Sequence, residues 1–263
     1  ETEINAIIYA TGSIAISGKA KISGAVSSES NISMSDDVEL EYDDDNIEEA
    51  DFNGMCLPEL EFELLADFHF DECRYTGAVG EVIDQTGNFP SSAHSGVNTN
   101  TIGQINRFAE LTNSNHHIEI AKPIPLPEEF AISTWFKKPR STSGSRYFVL
   151  GGMNGGGDLM YIDRENKWRW GVYNRSGATS GKYSFAKLSN EWHHLTLVYD
   201  DDETKLYIDG ELVETIDRSV SGTLKYIGTS NDSVNDTGNE QGFRAPLDEF
   251  IVFEGELTED DIA

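Results

Sequence analysis

The residues best suited to chemistry lie at positions 190–216, NEWHHLTLVYDDDETKLYIDGELVETI, which hold a His-His pair and two acidic runs. Imidazoles with nearby carboxylates are common metal ligands. Neighbouring residues on a β-strand point to opposite faces, however, so His193 and His194 cannot bind one metal ion together. The pattern therefore predicts strands and turns here, and no catalytic or metal site.

The second half of this stretch, KLYIDGELVE, predicts a β-hairpin. Its Asp-Gly step at residues 209–210 fits a two-residue type I′ turn, because both residue types tolerate a positive φ. The register that follows pairs Leu206 with Val213 and Lys205 with Glu214, one apolar pair and one pair of opposite charge.

The composition limits the class of partner. The chain has 263 residues and a formal net charge of −28, so phosphate repulsion excludes a nucleic acid. Strong acidity favours solubility and is common in proteins that meet divalent cations. No apolar run approaches the roughly 20 residues of a membrane span. No signal peptide is visible, but the chain starts at Glu1 without Met, so we expect a mature or trimmed form.

The first 40 residues differ from the rest in composition and in residue spacing. Glycine recurs every six residues from Gly12 to Gly24, and apolar residues continue this period from Val26 to Val38. A six-residue step suits the short strands and tight corners of a β-solenoid, whose few coils would stack on a partner. A β-meander with accidental spacing is the alternative.

An acidic linker is predicted at residues 41–56. The stretch 36–51 contains ten acids and no base, and like charges at this density repel and resist packing. A cation-binding loop is the alternative, but the glycine-punctuated spacing of an EF-hand is missing.

Residues 57–263 predict one antiparallel β-sandwich of about a dozen strands, since short alternating runs are separated by turn residues throughout. The clearest strands are residues 130–136, 147–152, 159–163, 167–173 and 249–253. A short helix is expected only in LTEDDIA at 257–263, capped by Thr258.

Cys56 and Cys73 are the two cysteines. They form no C-x-x-C pair and have no zinc-finger histidines, so a zinc site is not expected. They are either free core thiols or a disulfide, and we favour the disulfide. It would stabilise by about 3 kcal/mol and imply an oxidising compartment.

Two features predict ligand binding. Trp168 and Trp170 share one strand face, so an exposed pair would stack on sugar rings, whereas the alternative is that both lie in the core. The glycine-rich loop GGMNGGGD at 151–158 could shape a site. The candidate ligand-binding residues are Trp168, Trp170, Asn154, Asp158, Tyr161 and Arg164.

Four segments resemble LamG-like, concanavalin A-like jelly-roll domains. EWHHLTLVYDDDETKLYIDGELV is similar to their central hairpin, and FAISTWFK to the strand that carries a buried tryptophan. LDEFIVFEGELTEDDI resembles the closing strand and its short helix, and FHFDE followed by VIDQTGN resembles the opening strand and turn. The likeness spans about residues 61–263 and implies an all-β jelly roll that binds glycans or proteins.

A narrower likeness is to MshQ-like proteins, which are encoded with the mannose-sensitive haemagglutinin (MSHA) type IV pilus of marine gamma-proteobacteria. It is carried by AIIYATGSIAISGKAKISGAV, the acidic stretch, Cys56 and FHFDEC with GAVGEVIDQTGN. This resemblance implies an extracellular or cell-surface adhesion component, with a glycan, a surface protein or other pilus subunits as partners. A purely structural component of such an appendage is the alternative.

Some jelly rolls are glycoside hydrolases, which use two carboxylates. Glu59, Glu61 and Glu63 share one strand face and imitate the acid-x-acid-x-acid strand of family 16 glycosidases. This strand precedes the opening strand, however, whereas theirs lies in the middle of the chain. An amphipathic edge strand with its acids in water explains the three glutamates. We therefore expect no enzymatic activity.

The resemblance also implies a structural calcium ion. In similar domains an Asp that opens the last strand meets oxygens from the first strand region, and Asp248 occupies that position here. Asp84 and Asn88 match the early turn and are the expected companions. The alternative is that Asp248 caps a turn and Asp84 forms an Asx-turn with Gly87.

Overall fold

The chain divides into two units, Glu1–Glu59 and Leu60–Ala263. The structure, a computed structural model, describes residues 2–10, 14–16, 20–28, 32–34, 38–41, 63–140, 146–200, 202–230, 241–255 and 257–262. The predicted acidic linker at 41–56 lies outside the described residues apart from Glu41, so that domain division stays a prediction.

The first unit consists of parallel strands. One sheet contains β1 (Thr2–Ala10), β3 (Ala20–Ser28) and β5 (Val38–Glu41), and a second contains β2 (Ile14–Ile16) and β4 (Ile32–Met34). The pairing is offset by 18 residues throughout, from 2 to 20, from 14 to 32 and from 20 to 38. This offset is three of the six-residue steps in the sequence, and parallel pairing at a constant offset is the pairing of a β-solenoid.

The described part of the second unit forms sixteen strands. The first eight are β6 (Glu63–Phe68), β7 (Ser91–His94), β8 (Asn98–Asn100), β9 (Phe108–Glu110), β10 (His117–Leu126), β11 (Phe130–Lys137), β12 (Tyr147–Val149) and β13 (Gly151–Met153). The next eight are β14 (Asp158–Asp163), β15 (Arg169–Asn174), β16 (Gly177–Ser184), β17 (Trp192–Asp200), β18 (Glu203–Ile208), β19 (Glu211–Ile216), β20 (Gly222–Ile227) and β21 (Pro246–Glu254).

These strands form the two antiparallel sheets of a jelly-roll sandwich. Sheet I has the order β16-β15-β14-β13-β20-β10-β7, with β12 paired to β14. Sheet II has the order β19-β18-β17-β11-β21-β9-β8, with β6 paired to β21. Strands distant in sequence are neighbours in space, such as β13 and β20 or β11 and β21, as in a Greek key.

The hydrophobic core lies between the two sheets, because each sheet turns alternate side chains inward. On β11 the inward residues are Phe130, Ile132 and Phe136, all fully buried. A smaller apolar cluster that includes Val198 and Tyr207 also contains Ile262 of helix α1 (Glu259–Ile262). No described helix is long and apolar enough to cross a membrane.

The short terminal helix and the Asp-Gly turn agree with the sequence predictions. Thr258 donates its backbone N–H and its hydroxyl to the Asp261 carboxylate at the start of α1, and the backbone bond is one of the two bonds of a capping box. Asp209 and Gly210 have φ values of 52° and 83°, as a type I′ turn requires.

Three local predictions were wrong. The hairpin register shifts by a bulge, so Leu206 lies opposite Glu214 instead of Val213, and Lys205 opposite Thr215. The strand expected at 147–152 is interrupted at Leu150. The strand expected at 167–173 begins at Arg169, because the two residues before it take a left-handed conformation.

Candidate functional site

A pocket of about 280 Å³ opens on the outer face of sheet I, the face turned away from the core. Its lining consists of Tyr147, Asp158, Tyr161, Tyr173, Ala178 and Gln241. The strand period places these side chains outward, because Ile162 on β14 and Trp170 on β15 belong to the core. Most of the pocket is therefore built on paired strands and not on loops.

The pairing of the strands aligns the lining residues in rows. Asp158 lies opposite Tyr173, and Tyr173 lies opposite Ala178. In the next row Tyr161 lies opposite Gly171. Side chains directly opposite one another on neighbouring strands stand about 5 Å apart, so the rows form one continuous surface.

The tyrosine rings are held by specific contacts. Tyr147 and Tyr161 pack edge to face with ring centroids 5.5 Å apart, a favourable arrangement for aromatic rings. The Tyr161 hydroxyl lies 2.8 Å from Ser180 Oγ. Arg146 lies over the Tyr147 ring at 4.8 Å and donates two hydrogen bonds to Asp163 Oδ2, the shorter at 2.8 Å.

The charges at the pocket follow from these contacts. Burial raises the pKa of Tyr161 and of Tyr147, so both phenols are neutral and able to donate hydrogen bonds at neutral pH. Burial acts to raise the pKa of Asp163, but the hydrogen bonds from Arg146 and the backbone N–H of Asn166 outweigh it, and this pKa is lowered. Asp163 is therefore an ionised, internally neutralised carboxylate.

A second depression, of about 330 Å³, adjoins the pocket through the shared residue Tyr173. Asn154 and the glycine-rich loop line it. Gly155, Gly156 and Gly157 all have positive φ values, which glycine adopts without strain. Arg175 donates from Nε to the Gly155 carbonyl at 3.0 Å, so the loop is tied to the end of β15.

The structure brings together some of the predicted binding residues. Asp158 and Tyr161 line the pocket and Asn154 lines its neighbour. Arg164 is half-buried at the end of β14, where its backbone N–H bonds to the Arg146 carbonyl. Four lining residues were not predicted from the sequence: Tyr147, Tyr173, Ala178 and Gln241. The first two stand at outward positions of predicted strands.

The prediction that Trp168 and Trp170 form an exposed pair was wrong. Trp170 is fully buried, and its Nε1–H donates to Glu214 Oε2 at 2.7 Å. Trp168 precedes the strand with a φ of 59° and stacks on Phe148 at 5.3 Å. The two rings therefore do not share an exposed face, and neither lines the tyrosine pocket.

The adjacent histidines point apart, as the strand period predicts. Nδ1 of His193 lies 2.7 Å from the Asp209 carboxylate. His194 lies on the other face, with Nε2 2.7 Å from Ser133 Oγ. Neither belongs to a group of described residues whose donor atoms could hold a metal ion.

Asp84 does not fit the expected calcium site. Its Oδ1 accepts the backbone N–H groups of Asp67 and Thr86, and its Oδ2 accepts from the Thr86 hydroxyl, Asn88 and Phe89. Five donors occupy the carboxylate, which leaves little lone-pair capacity for a cation. Asn88 is exposed and donates its amide to Thr86.

Asp248 does fit a cation. It is fully buried at the start of β21, and Oδ2 accepts the backbone N–H groups of Gln104 and Ile105 at 2.8 and 2.9 Å. Oδ1 is buried without a hydrogen-bond partner among the described residues. Burial first, and then the charge of Asp71, raise the pKa of Asp248 to about 6, which is the response of a carboxylate that lacks a counter-charge.

More acidic groups stand beside Asp248. Glu249 is buried with a φ of 50°, and its donor atom groups with those of Asp67 and His69 within 4.8 Å. Burial raises the pKa of Glu249, and His69 opposes the rise. The oxygens are thus concentrated on β6 and β21, and not at the Asp84 turn.

The proposed disulfide stays a prediction. Cys73 is exposed, and Cys56 lies outside the described residues. Of the three glutamates that imitate a glycosidase strand, Glu63 is exposed at the start of β6, while Glu59 and Glu61 also lie outside the described residues.

Comparisons with known proteins give a family and several similar folds. Residues 112–263 match the model of the concanavalin A-like lectin/glucanases superfamily. No curated protein sequence matches the chain. Domain 4 of AbnA, a GH43 extracellular arabinanase from Geobacillus stearothermophilus solved with arabinotriose, is 19% identical with a TM-score of 0.56, over 77% of this chain and 97% of that one.

Two further solved structures have the same fold. The botulinum neurotoxin serotype D ligand binding domain, solved with N-acetylneuraminic acid, is 17% identical with a TM-score of 0.52, over 76% of this chain and 49% of that one. Trypanosoma rangeli sialidase is 15% identical with a TM-score of 0.51, over 76% of this chain and 31% of that one. The chain thus spans about half of the toxin domain and a third of the sialidase. Because the family model covers more than half of its residues, the chain belongs to the concanavalin A-like lectin/glucanases superfamily.

Proposed function

We propose that the protein is an extracellular, non-catalytic module that binds glycans through the tyrosine pocket of sheet I. The observation that carries this proposal is the meeting of Tyr147, Tyr161 and Tyr173 with Asp158 and Gln241 in one open pocket. Aromatic rings give apolar surface to the C–H faces of sugars, while their hydroxyls and a carboxylate bind sugar hydroxyls.

The similar structures support a sugar as the ligand class. The arabinanase domain was solved with arabinotriose and the toxin domain with N-acetylneuraminic acid. At 17–19% identity these likenesses concern the fold, so the ligand class for this chain rests on the pocket itself. Neutral arabino-oligosaccharides and sialylated glycans are accordingly the first ligands to test.

The placement of carboxylates on this face favours binding over hydrolysis. Glu119 and Asp158 share one cross-strand row, but the strands that carry Tyr226 and Gly152 stand between them. Three strand steps separate their backbones by about 14 Å, beyond the spacing of roughly 5–9.5 Å between glycosidase carboxyls. Asp163, a third carboxylate, is neutralised by Arg146, which makes it unsuited to act as a general acid or base.

The setting that we propose is a bacterial surface adhesion or type IV pilus system. The resemblance of the N-terminal region to MshQ-like proteins supports it, as does a formal net charge of −28, which suits a chain that works in ionic surroundings. The proposal includes a structural calcium ion held by Asp248 with oxygens from its surroundings. The buried Oδ1 without a partner supports that ion.

Glycan-array screening of the purified protein, followed by calorimetric titration of the best ligand, tests the function. Tyr147→Ala should weaken binding at least tenfold, because the half-buried ring forms one wall of the pocket. Trp192→Ala is the matched control: it removes a half-buried ring from β17 of sheet II, and it should leave the affinity unchanged.

Three results would contradict the proposal. Equal affinity in the Tyr147→Ala variant and the unmodified protein would remove the pocket from the binding site. Turnover of the bound glycan would make the protein an enzyme. An array without any hit, with a surface protein captured instead, would favour protein binding over glycan binding.

A further inference from the structure

A second group of side chains, separate from the tyrosine pocket, lies at the other end of the outer face of sheet I. His94 on β7 lies directly opposite His117 on β10, and Ser92 lies opposite Glu119. Ala93, Ile118 and Ile120 are core residues. The strand period therefore turns Ser92, His94, His117 and Glu119 to the outer face together.

The donor atoms of this group converge. Single ligand atoms of His94, His117 and Glu119 all lie within 4.8 Å of one another. His94 Nε2 lies 3.5 Å from Glu119 Oε2. Donors at about 2.1 Å from a tetrahedral zinc ion stand roughly 3.4 Å apart, so rotation of the half-buried His94 and Glu119 side chains suffices to close the site.

The hydrogen bonding of His117 leaves one ring nitrogen able to bind a metal ion. Its Nδ1 lies 2.9 Å from the Asn115 carbonyl oxygen, which can only accept, so Nδ1 carries the proton and Nε2 keeps its lone pair. A backbone carbonyl on the second ring nitrogen is the usual support of a metal-bound histidine.

Further contacts surround the remaining two side chains. The His94 and His117 rings stack at 5.1 Å, and His117 meets Tyr226 edge to face at 5.6 Å. Ser92 Oγ lies 2.9 Å from His94 Nε2. Lys225 Nζ lies 3.3 Å from Oε1 of Glu119 and leaves Oε2 turned towards His94.

We propose that His94, His117 and Glu119 bind one divalent transition-metal ion of the zinc class on the outer face of sheet I. Two imidazole nitrogens and one carboxylate suit zinc, copper, nickel or iron, whereas calcium and magnesium require oxygen donors. Three protein ligands leave a coordination position open to water or to an oxygen of a bound molecule. The negative net charge of the chain attracts such cations.

This site differs from the acidic group beside Asp248. That group lies on β6 and β21 of sheet II and contains one histidine, His69, among carboxylates. Oxygen-rich surroundings favour calcium. The two sites can therefore be distinguished by the metal that they prefer and by the histidines on which binding depends.

Calorimetric titration of Zn²⁺ into chelator-treated protein without an affinity tag, at pH 7.5, tests the proposal. One equivalent should bind, and His117→Ala and His94→Ala should each weaken binding at least tenfold. His193→Ala is the matched control, because it removes a largely buried histidine that is bonded to Asp209 in sheet II. It should leave zinc binding unchanged.

Two further variants distinguish loss of the metal site from misfolding. Glu119→Gln keeps the size of the side chain and should weaken binding about tenfold, with an unchanged circular dichroism spectrum. Lys225→Met frees Oε1 of Glu119 and should tighten binding several-fold, a gain that unfolding cannot imitate. The absorption spectrum of Co²⁺ in place of zinc reports the nitrogen and oxygen donors independently.

The proposal fails if the unmodified protein binds no Zn²⁺ or Co²⁺ at millimolar concentration. It fails equally if His94→Ala and His117→Ala bind as the unmodified protein does, or if Lys225→Met brings no gain. None of these readouts uses a glycan, so the result is independent of the proposed glycan-binding function.

Discussion

Tyr161 lies directly opposite Gly171, and a methyl group at Gly171 would come within 2.5 Å of Tyr161 Cζ and of its hydroxyl oxygen. The tyrosine thus lies flat across the neighbouring strand because that strand has no side chain there. The same methyl group would meet the Thr179 carbonyl oxygen at 2.5 Å. The glycine therefore determines both where the ring lies and how closely β16 approaches.

Gly171→Ala should displace Tyr161 and weaken glycan binding by an order of magnitude. The crowding should also lower the free energy of unfolding by about 1–3 kcal/mol. Calorimetric titration and urea unfolding measure the two effects. Gly177→Ala is unsuitable as a control because its φ is 131°. Lys187→Ala, at an exposed position outside the pocket lining, serves instead and should leave binding unchanged. Unchanged binding in Gly171→Ala would mean that the position of Tyr161 does not matter.

Glu214 links the two sheets at the edge of the sandwich. It stands on β19 of sheet II and accepts hydrogen bonds from buried Trp170 and from the backbone N–H groups of Lys182 and Tyr183 on sheet I. Burial acts to raise the pKa of Glu214, but these hydrogen bonds outweigh it, and the pKa is lowered from its usual 4.5.

Glu214→Ala should cost about 2 kcal/mol of unfolding free energy at pH 7, because the Trp170 N–H is left buried without an acceptor. A carboxyl whose pKa is lowered on folding stabilises above its unfolded pKa and loses this contribution as the pH falls through the folded value. The difference between the variant and the unmodified protein should therefore shrink below pH 4.5. Glu211→Ala, exposed on the same strand, should have little effect at either pH.

Much of the fold could be predicted from the sequence, because strand periodicity and turn residues are local signals. The Asp209–Gly210 turn and the alternation along β17 follow from residue types alone. The bulge that places Leu206 opposite Glu214 could not be predicted. In the observed register Glu214 bonds to Trp170, a contact between residues 44 positions apart that local patterns do not reveal.

The binding site was predicted only in part, for a related reason. Asp158 and Tyr161 lie next to a glycine-rich loop, which is a visible signal. Tyr147 and Tyr173 give no such signal, because only the pairing of β12 and β15 with β14 brings them to the same pocket. Trp168 and Trp170 are spaced by two, yet the left-handed conformation of Trp168 removes the alternation that the spacing implies.

Asp84 should prove to be a structural residue that acts without calcium. Five hydrogen bonds converge on its carboxylate and fix the turn that follows it. Asp84→Ala should lower the unfolding free energy by about 3 kcal/mol, by the same amount in calcium and in chelator. Gln85→Ala, exposed beside it, should be nearly neutral. A loss of unfolding free energy that appears only in calcium would show that Asp84 is a calcium ligand.

Asp248 should make the stability of the calcium-free protein fall as the pH rises. Its pKa in the folded protein is raised from 3.8 to about 6, so the protonated form is favoured on folding. The contribution is complete below pH 3.8 and is lost as the pH rises through about 6. In chelator we expect a decrease of about 2 kcal/mol between pH 4 and pH 7, measured by urea unfolding.

Calcium should reverse this decrease, because the ion supplies the counter-charge that the buried carboxylate lacks. A hundredfold excess over the dissociation constant adds about 2.7 kcal/mol, which thermal melts at pH 7 with and without chelator detect. Asp248→Asn should be more stable than the unmodified protein in chelator at pH 7 and should lose the calcium shift. Glu254→Gln, exposed on the same strand, should keep it. An undiminished calcium shift in Asp248→Asn would place the ion elsewhere, and no shift in the unmodified protein would end the calcium proposal.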